Sequence, residues 1–133
     1  MKKFEFLSHT ADFKIRIFGK NFLSLINNAL LAFKSFFSPK LKKRKKKVKI
    51  KIEGIDPLST LIDFLSEVLA KTYIEKTIFL KFRPEILEEK KIEGELEGFE
   101  FESLKKDIKG ITYHQAKLEK NKNYFVFEFI IDI

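Results

Sequence analysis

The stretch DFKIRIFGKNFLSLINNALLAFKSFF, residues 12–37, contains two different hydrophobic periods and decides the fold class. Up to Phe18 its polar and apolar side chains alternate, and this period of two predicts a β-strand. After Gly19 the apolar residues recur at spacings of three and four, with Asn21 as a suitable N-cap and Pro39 as a stop, so this part predicts an amphipathic helix. A strand followed by such a helix indicates a domain in which helices pack against a sheet.

The rest of the chain repeats these two patterns. Strand-like alternation occurs in Lys3–Leu7 and in Val48–Ile52, and Asp56 with Pro57 marks the start of a second helix. Four more strand-like segments follow, within 78–82, 92–101, 111–119 and 124–132. The predicted order is β-β-α-β-α-β-β-β-β. It indicates an α+β fold, a single two-layer domain over 1–133 in which two amphipathic helices cover a mixed, largely antiparallel sheet.

The composition is typical of a folded protein with an anionic partner. Apolar residues make up 44 % of the 133-residue chain, which is enough for one hydrophobic core. The formal net charge is +8, which favours nucleic acid or an acidic protein surface as partner. In the alternative interpretation, the charge reflects the Lys- and Glu-rich surface of a heat-adapted protein, which the lack of Cys and the single Met also fit. The absence of Cys excludes disulfides and thiolate metal sites. Without a signal peptide or a run of apolar residues that could span a bilayer, we expect a cytoplasmic protein that contacts no membrane.

Seven of the eight residues in Lys40–Lys47 are basic. Because like charges at this density repel one another, the sequence predicts an exposed loop over about 38–47. This loop is either simply solvated or attracts RNA, for instance tRNA, by releasing counterions from phosphates. No aromatic residue lies between the lysines, so the segment offers no platform on which bases could stack.

The C-terminus brings two carboxylates together. The side chain of Asp132 and the terminal carboxylate of Ile133 belong to adjacent residues, and two such anions are costly without a neighbouring cation. A hard cation such as Ca²⁺, which takes about six to eight oxygen ligands, suits this cluster, and Asp12 at the start of a strand is the best candidate for a third carboxylate. In the alternative interpretation, Asp12 caps a turn and Asp132 is a solvated chain end.

Four blocks of sequence resemble the motifs of the archease family, in the family's order. These are His9–Asp12 with the strand that follows it, Phe64–Leu69 in the second helix, Lys109–His114, and the ending Asp132-Ile133. Gly110 and Gln115 depart from the family pattern, but neither belongs to the acidic cluster.

The resemblance implies a function for the whole chain. Archease is a protein cofactor of the GTP-dependent RNA ligase that joins 3′-phosphate and 5′-hydroxyl ends in tRNA splicing and RNA repair. It promotes guanylylation of the ligase and multiple turnover, and it is not itself an enzyme. The resemblance also implies that Asp12, Asp132 and the carboxylate of Ile133 bind a divalent metal, with Ca²⁺ as the expected ion and the RNA ligase as the partner.

The remaining candidates for partner binding belong to the same motifs: His9, Thr10, Glu67, Lys109, Thr112 and His114. Each also has a structural interpretation. His9 and His114 brace a loop or a strand, Lys109 is an ordinary exposed lysine, and Glu67 lies on the exposed face of the second helix. In a regular strand, His114 shares a face with Thr112.

Two other classes of function compete with the activator. The first is a basic RNA-binding chaperone that acts through Lys40–Lys47. The second is a metal-dependent hydrolase built on the acidic cluster. The chain contains no Gly-rich phosphate loop, nucleophile elbow or Cys nucleophile, and it has only two His, so a catalyst is the less favoured class.

Overall fold

The computed structural model describes residues 2–8 and 13–133, and its elements follow the predicted order. They are β1 (Phe4–Ser8), β2 (Phe13–Gly19), α1 (Phe22–Phe37), β3 (Pro39–Glu53), α2 (Pro57–Glu75), β4 (Thr77–Leu87), β5 (Lys91–Leu104), β6 (Gly110–Lys120) and β7 (Phe125–Asp132). The α+β class is therefore confirmed, together with the sequence of helices and strands.

The strands form two sheets where the sequence predicted one. Sheet A has the order β1-β2-β7-β6 and sheet B the order β3-β5-β4, and all the pairings of these strands are antiparallel. Alternation identifies a strand but leaves its partner open, since partners are selected by packing between distant parts of the chain. Both helices pack against strands of both sheets, so they join the two sheets through one core.

The basic segment forms part of strand β3 (Pro39–Glu53), so the prediction of an exposed loop over about 38–47 is wrong. The repulsion among its cations is offset by glutamates, most of them on the neighbouring strand β5. The ion pairs are Lys40–Glu102 at 3.1 Å, Arg44–Glu100 at 3.2 Å, Lys46–Glu75 at 3.0 Å and Lys47–Glu97 at 3.4 Å. Most of the basic side chains nevertheless remain exposed.

Both predicted N-caps are confirmed. The Asn21 side chain accepts a hydrogen bond from the backbone N–H of Ser24 at 2.9 Å, and Asp56 accepts one from Ser59 at 2.8 Å. Each cap satisfies a helix N–H group that has no partner within the helix. Asp56 is followed directly by Pro57 at the first position of α2, as its sequence predicts.

The glutamate at the centre of the outer face of sheet B is held by two cations. Glu97 is only 7 % exposed, and its carboxylate contacts Arg83 at 3.1 Å and Lys47 at 3.4 Å. The hydrogen bonds from Arg83, and then from Lys47, lower the pKa of Glu97 below its ordinary value. Its contribution to stability is therefore complete above its unfolded pKa of about 4.3 and is lost as the pH falls through the lower folded value.

We expect Glu97→Gln to be less stable than the wild type near neutral pH, and the difference to shrink as the pH falls through the lowered pKa of Glu97 and its carboxylate is protonated. Urea unfolding of both proteins at neutral pH and at acidic pH measures this difference in stability. Glu53→Gln is the control, because the Glu53 side chain is 66 % exposed and lies 3.9 Å from Lys91. Such an exposed pair contributes about 0–1 kcal/mol. A Glu97→Gln protein as stable as the wild type at neutral pH would contradict the prediction.

Candidate functional site

The start of β2 and the end of β7 meet at one edge of sheet A. Phe13 pairs with Ile131, which is buried, and the next residue of β7, Asp132, is exposed. Because side chains alternate along a strand, the carboxylate of Asp132 faces away from the core that receives Ile131. Asp12, which precedes Phe13 in the sequence, lies outside the described residues, as do His9 and Thr10.

The backbone of Asp132 is fixed by the segment that leads into β6. The N–H of Lys109 donates to the carbonyl oxygen of Asp132 at 2.7 Å, and Gly110 pairs with Asp132 in the β6–β7 ladder. These contacts hold the strand end in place through its backbone, and the side chain of Asp132 is exposed. The structure thus brings Lys109 and Asp132, two predicted site residues, to one edge.

The loop between β5 and β6 forms a small cavity beside this edge. The cavity has a volume of about 350 Å³ and is lined by Phe36, Lys106, Asp107, Lys109 and Ile133. The ammonium group of Lys106 lies 5.1 Å from the centre of the Phe36 ring, within the range of a cation–π contact. Basic and acidic groups therefore stand together next to the C-terminal residue.

Tyr73 of α2 anchors this loop. Its hydroxyl accepts a hydrogen bond from the buried N–H of Ile108 at 2.9 Å and lies within donating distance of the Ile108 carbonyl, 3.1 Å, and of the Asp107 carboxylate, 3.3 Å. Burial, and then the nearby charge of Asp107, raise the pKa of Tyr73 above its ordinary value. Sequence reasoning missed Tyr73, since nothing in the pattern of α2 distinguishes it from other residues beside the apolar stripe.

The Lys109–His114 motif does not continue as a regular strand. The register of β6 against β7 shifts between Thr112 and Lys117, and Gln115 has a φ of 58°, in the left-handed region. The N–H of His114 donates to the hydroxyl of Thr112 at 3.0 Å, so Thr112 braces the turn within the bulge. The prediction that Thr112 and His114 lie on one face of a regular strand is therefore wrong, because the bulge begins after Thr112.

The bulge is also attached to α2. The side chain of Tyr113 is exposed, and its hydroxyl donates a hydrogen bond to the carboxylate of Asp63. Burial, and then the charge of Asp56, raise the pKa of Asp63. Glu67, one turn further along α2, is half-exposed and lies 3.4 Å from Lys71 on its own helix, which agrees with the exposed helix face expected for it.

No group of three or more His, Cys, Asp or Glu is placed to hold a metal ion within residues 2–8 and 13–133. The described part of the predicted acidic cluster consists of Asp132 and the C-terminal Ile133. Metal binding at Asp12, Asp132 and Ile133 therefore stays a prediction. Neither described helix is long and apolar enough to cross a membrane.

Comparisons with known proteins agree over the whole chain. Residues 4–133 match the family model described as Archease protein family (MTH1598/TM1083). The chain is 33 % identical over 139 residues to the protein archease of Sulfurisphaera tokodaii, with both chains fully covered. It is also 33 % identical over 128 residues to that of Pyrococcus abyssi, with 90 % of each chain covered.

Two solved structures have the same fold. One is the solution structure of protein 1598 of Methanobacterium thermoautotrophicum, with a TM-score of 0.71 and 23 % identity over the full length of both chains. The other is the crystal structure of an archease from Thermotoga maritima, described as a possible chaperone, with a TM-score of 0.73 and 16 % identity over 96 % of this chain and 94 % of that one. The family model and the relatives together establish that this chain belongs to the archease family.

Proposed function

We propose that this protein activates a GTP-dependent RNA ligase, which joins RNA ends carrying a 3′-phosphate or a 2′,3′-cyclic phosphate to 5′-hydroxyl ends. In this role it promotes transfer of guanylate to the ligase and supports repeated turnover in tRNA splicing, without joining RNA itself. Its membership of the archease family supports the proposal. The observation that carries it is the β2–β7 register, in which Phe13 lies opposite Ile131. Asp12 precedes the first of these residues and Asp132 follows the second.

The three predicted ligands fit a hard divalent cation. Asp132, Asp12 and the carboxylate of Ile133 offer oxygen ligands only, the type that Ca²⁺ and Mg²⁺ prefer. If each carboxylate binds through one oxygen, the three fill fewer positions than Ca²⁺ offers, so coordination positions remain for water or for groups of the ligase. A cation held there would supply positive charge opposite the phosphates of the nucleotide during guanylate transfer.

The residues around the edge orient the acidic side chain towards the partner. The hydrogen bond between Lys109 and Asp132 fixes the backbone, while the exposed side chain of Lys109 is available to a phosphate or an acidic group of the ligase. On β6, the bulge that carries Tyr113 and His114 adds an exposed polar surface. We assign these residues to the contact with the ligase.

Replacing Asp12 or Asp132 by Asn is expected to lower the stimulation of ligase guanylylation by at least about tenfold. Each change removes a charged metal ligand, and even the loss of a group that only supports a ligand typically costs about 10- to 100-fold. The measurement is covalent labelling of the purified ligase by GTP, with RNA absent. Glu119→Gln is the matched control. It removes an exposed carboxylate from the same sheet, and Glu119 pairs with Val126 towards the other end of β7.

Titration calorimetry of Ca²⁺ into this protein alone shows whether a variant has lost metal binding, independently of any effect on its contact with the ligase. The wild type and Glu119→Gln should bind the ion, and both Asp variants should bind it at least about tenfold more weakly. Full stimulation by Asp12→Asn and Asp132→Asn would refute the proposed role of the acidic cluster. Hydrolysis of a phosphoester by the protein alone would favour the hydrolase instead.

A further inference from the structure

The cations of β3 fall into two groups. β3 is an edge strand of sheet B, and its basic residues Lys40, Arg44, Lys46 and Lys47 are each paired with a glutamate. Five other lysines of the strand form no ion pair within the part of the chain that the structure describes: Lys42, Lys43, Lys45, Lys49 and Lys51. An uncompensated cation is available to a partner, whereas a paired one must first give up its glutamate.

Three of the free lysines are concentrated at an irregularity of the edge. Between Leu41 and Lys45 the register shifts, so that residues 42–44 of β3 stand against the single residue Glu100 of β5. Glu100 is already paired with Arg44 at 3.2 Å. Lys45 lies opposite Phe99, which offers no charge. We call Lys42, Lys43 and Lys45 the bulge lysines; all three are exposed.

Protection of the edge does not account for these charges. Lysines on an edge strand prevent pairing with the edge of another molecule. The regular part of β3, from Lys45 to Glu53, already carries Lys47, Lys49 and Lys51 at alternate positions, which is sufficient for that purpose. A bulge with further unpaired cations adds mutual repulsion and projects the charges away from the sheet.

The chemistry of the surface favours a phosphate backbone over a protein or a membrane. Protein interfaces are depleted in Lys and enriched in aromatic residues, and an amphipathic segment on a membrane surface buries apolar side chains beside its cations. The apolar residues of this segment, Leu41 and Val48, are partly buried against the core. With no aromatic residue to stack on a base, the surface contacts phosphates and not bases.

We propose that the bulge lysines bind the phosphate backbone of RNA without regard to sequence. The choice of RNA over DNA rests on the proposed function, in which RNA is the ligase's substrate. The bulge lysines of β3 then hold the RNA substrate by its phosphate backbone, while the acidic edge at Asp132 serves guanylate transfer.

The test is binding of a fluorescent RNA hairpin to this protein alone, measured at several salt concentrations. Replacing all three bulge lysines by Gln should lower the affinity at least about tenfold at low salt and reduce the slope of log K against log salt by about two to three. The control replaces Lys90, Lys117 and Lys122 by Gln. These exposed lysines lie outside β3 and form no ion pair among the described residues, so the net charge changes equally and the affinity should change little.

Equal losses in the two triple variants would overturn the proposal, because net charge alone would then explain binding. Failure of the wild type to bind the hairpin would overturn it as well. The bulge variant should still stimulate ligase guanylylation fully, and Asp132→Asn should still bind RNA. A bulge variant that binds RNA normally but no longer stimulates the ligase would assign this surface to the ligase and contradict the inference.

Discussion

Replacing Gly98 by Ala is expected to destabilise the protein by about 3 kcal/mol, as overpacking does in a rigid interior. Gly98 lies on β5, the central strand of sheet B, with Phe79 of β4 opposite it on one side. A Cβ atom at this position would stand 1.9 Å from the carbonyl oxygen of Ile78 and 2.7 Å from the Cα of Phe79. Both are backbone atoms, so the clash is relieved only by separating the two strands.

Gly110→Ala is the control for this prediction. A Cβ atom on Gly110 would meet no other atom within 4 Å, and the residue has no positive φ. Ala in place of Gly restricts the unfolded chain, so this variant should be neutral or more stable by up to about 1 kcal/mol. Urea unfolding of both variants measures the contrast. Equal stability of the two would contradict the close approach of β4 and β5.

Local sequence rules predict the elements of this fold well, and its long-range pairings poorly. Both caps and the order of helices and strands follow from interactions within a few residues, such as that of Asn21 with Ser24. Whether the basic segment forms a loop or a strand depends on glutamates 50 to 62 residues further along the chain, such as Glu97, which pairs with Lys47, and Glu102, which pairs with Lys40. Considered alone, the cations of Lys40–Lys47 repel one another, which predicts a loop. Because the segment pairs with β5, it forms part of a strand instead.

The candidate site likewise contains residues that the sequence predicts and others that depend on long-range contacts. Motifs identified Asp132 and Lys109, which the β6–β7 ladder brings together. The bulge after Thr112 was not predictable, since Gln115 shows no preference that announces a left-handed backbone. Tyr73 was missed because its importance arises from a hydrogen bond to Ile108, thirty-five residues away.

Tyr73 is expected to affect both stability and activation. Tyr73→Phe removes the acceptor of the buried Ile108 N–H and should cost about 1–3 kcal/mol, the penalty for a buried polar group without a partner. Tyr73→Ala also removes the ring, which packs edge-on against Phe37 with the ring centres 6.0 Å apart. Because the side chain is partly exposed, we expect a total of about 2–4 kcal/mol. Urea unfolding measures both losses.

The same variants test whether the loop positions the acidic edge. Ile108 directly precedes Lys109, whose N–H holds the carbonyl of Asp132, so a looser loop should reduce stimulation of ligase guanylylation even where Tyr73→Phe remains folded. Tyr124→Phe is the control, since it removes a tyrosine hydroxyl in the turn between β6 and β7 and leaves the β5–β6 loop intact. If folded Tyr73→Phe stimulates the ligase fully, the role of Tyr73 is limited to stabilising the fold. A selective loss would mean that the Asp132 carboxylate acts only when its backbone is fixed from α2.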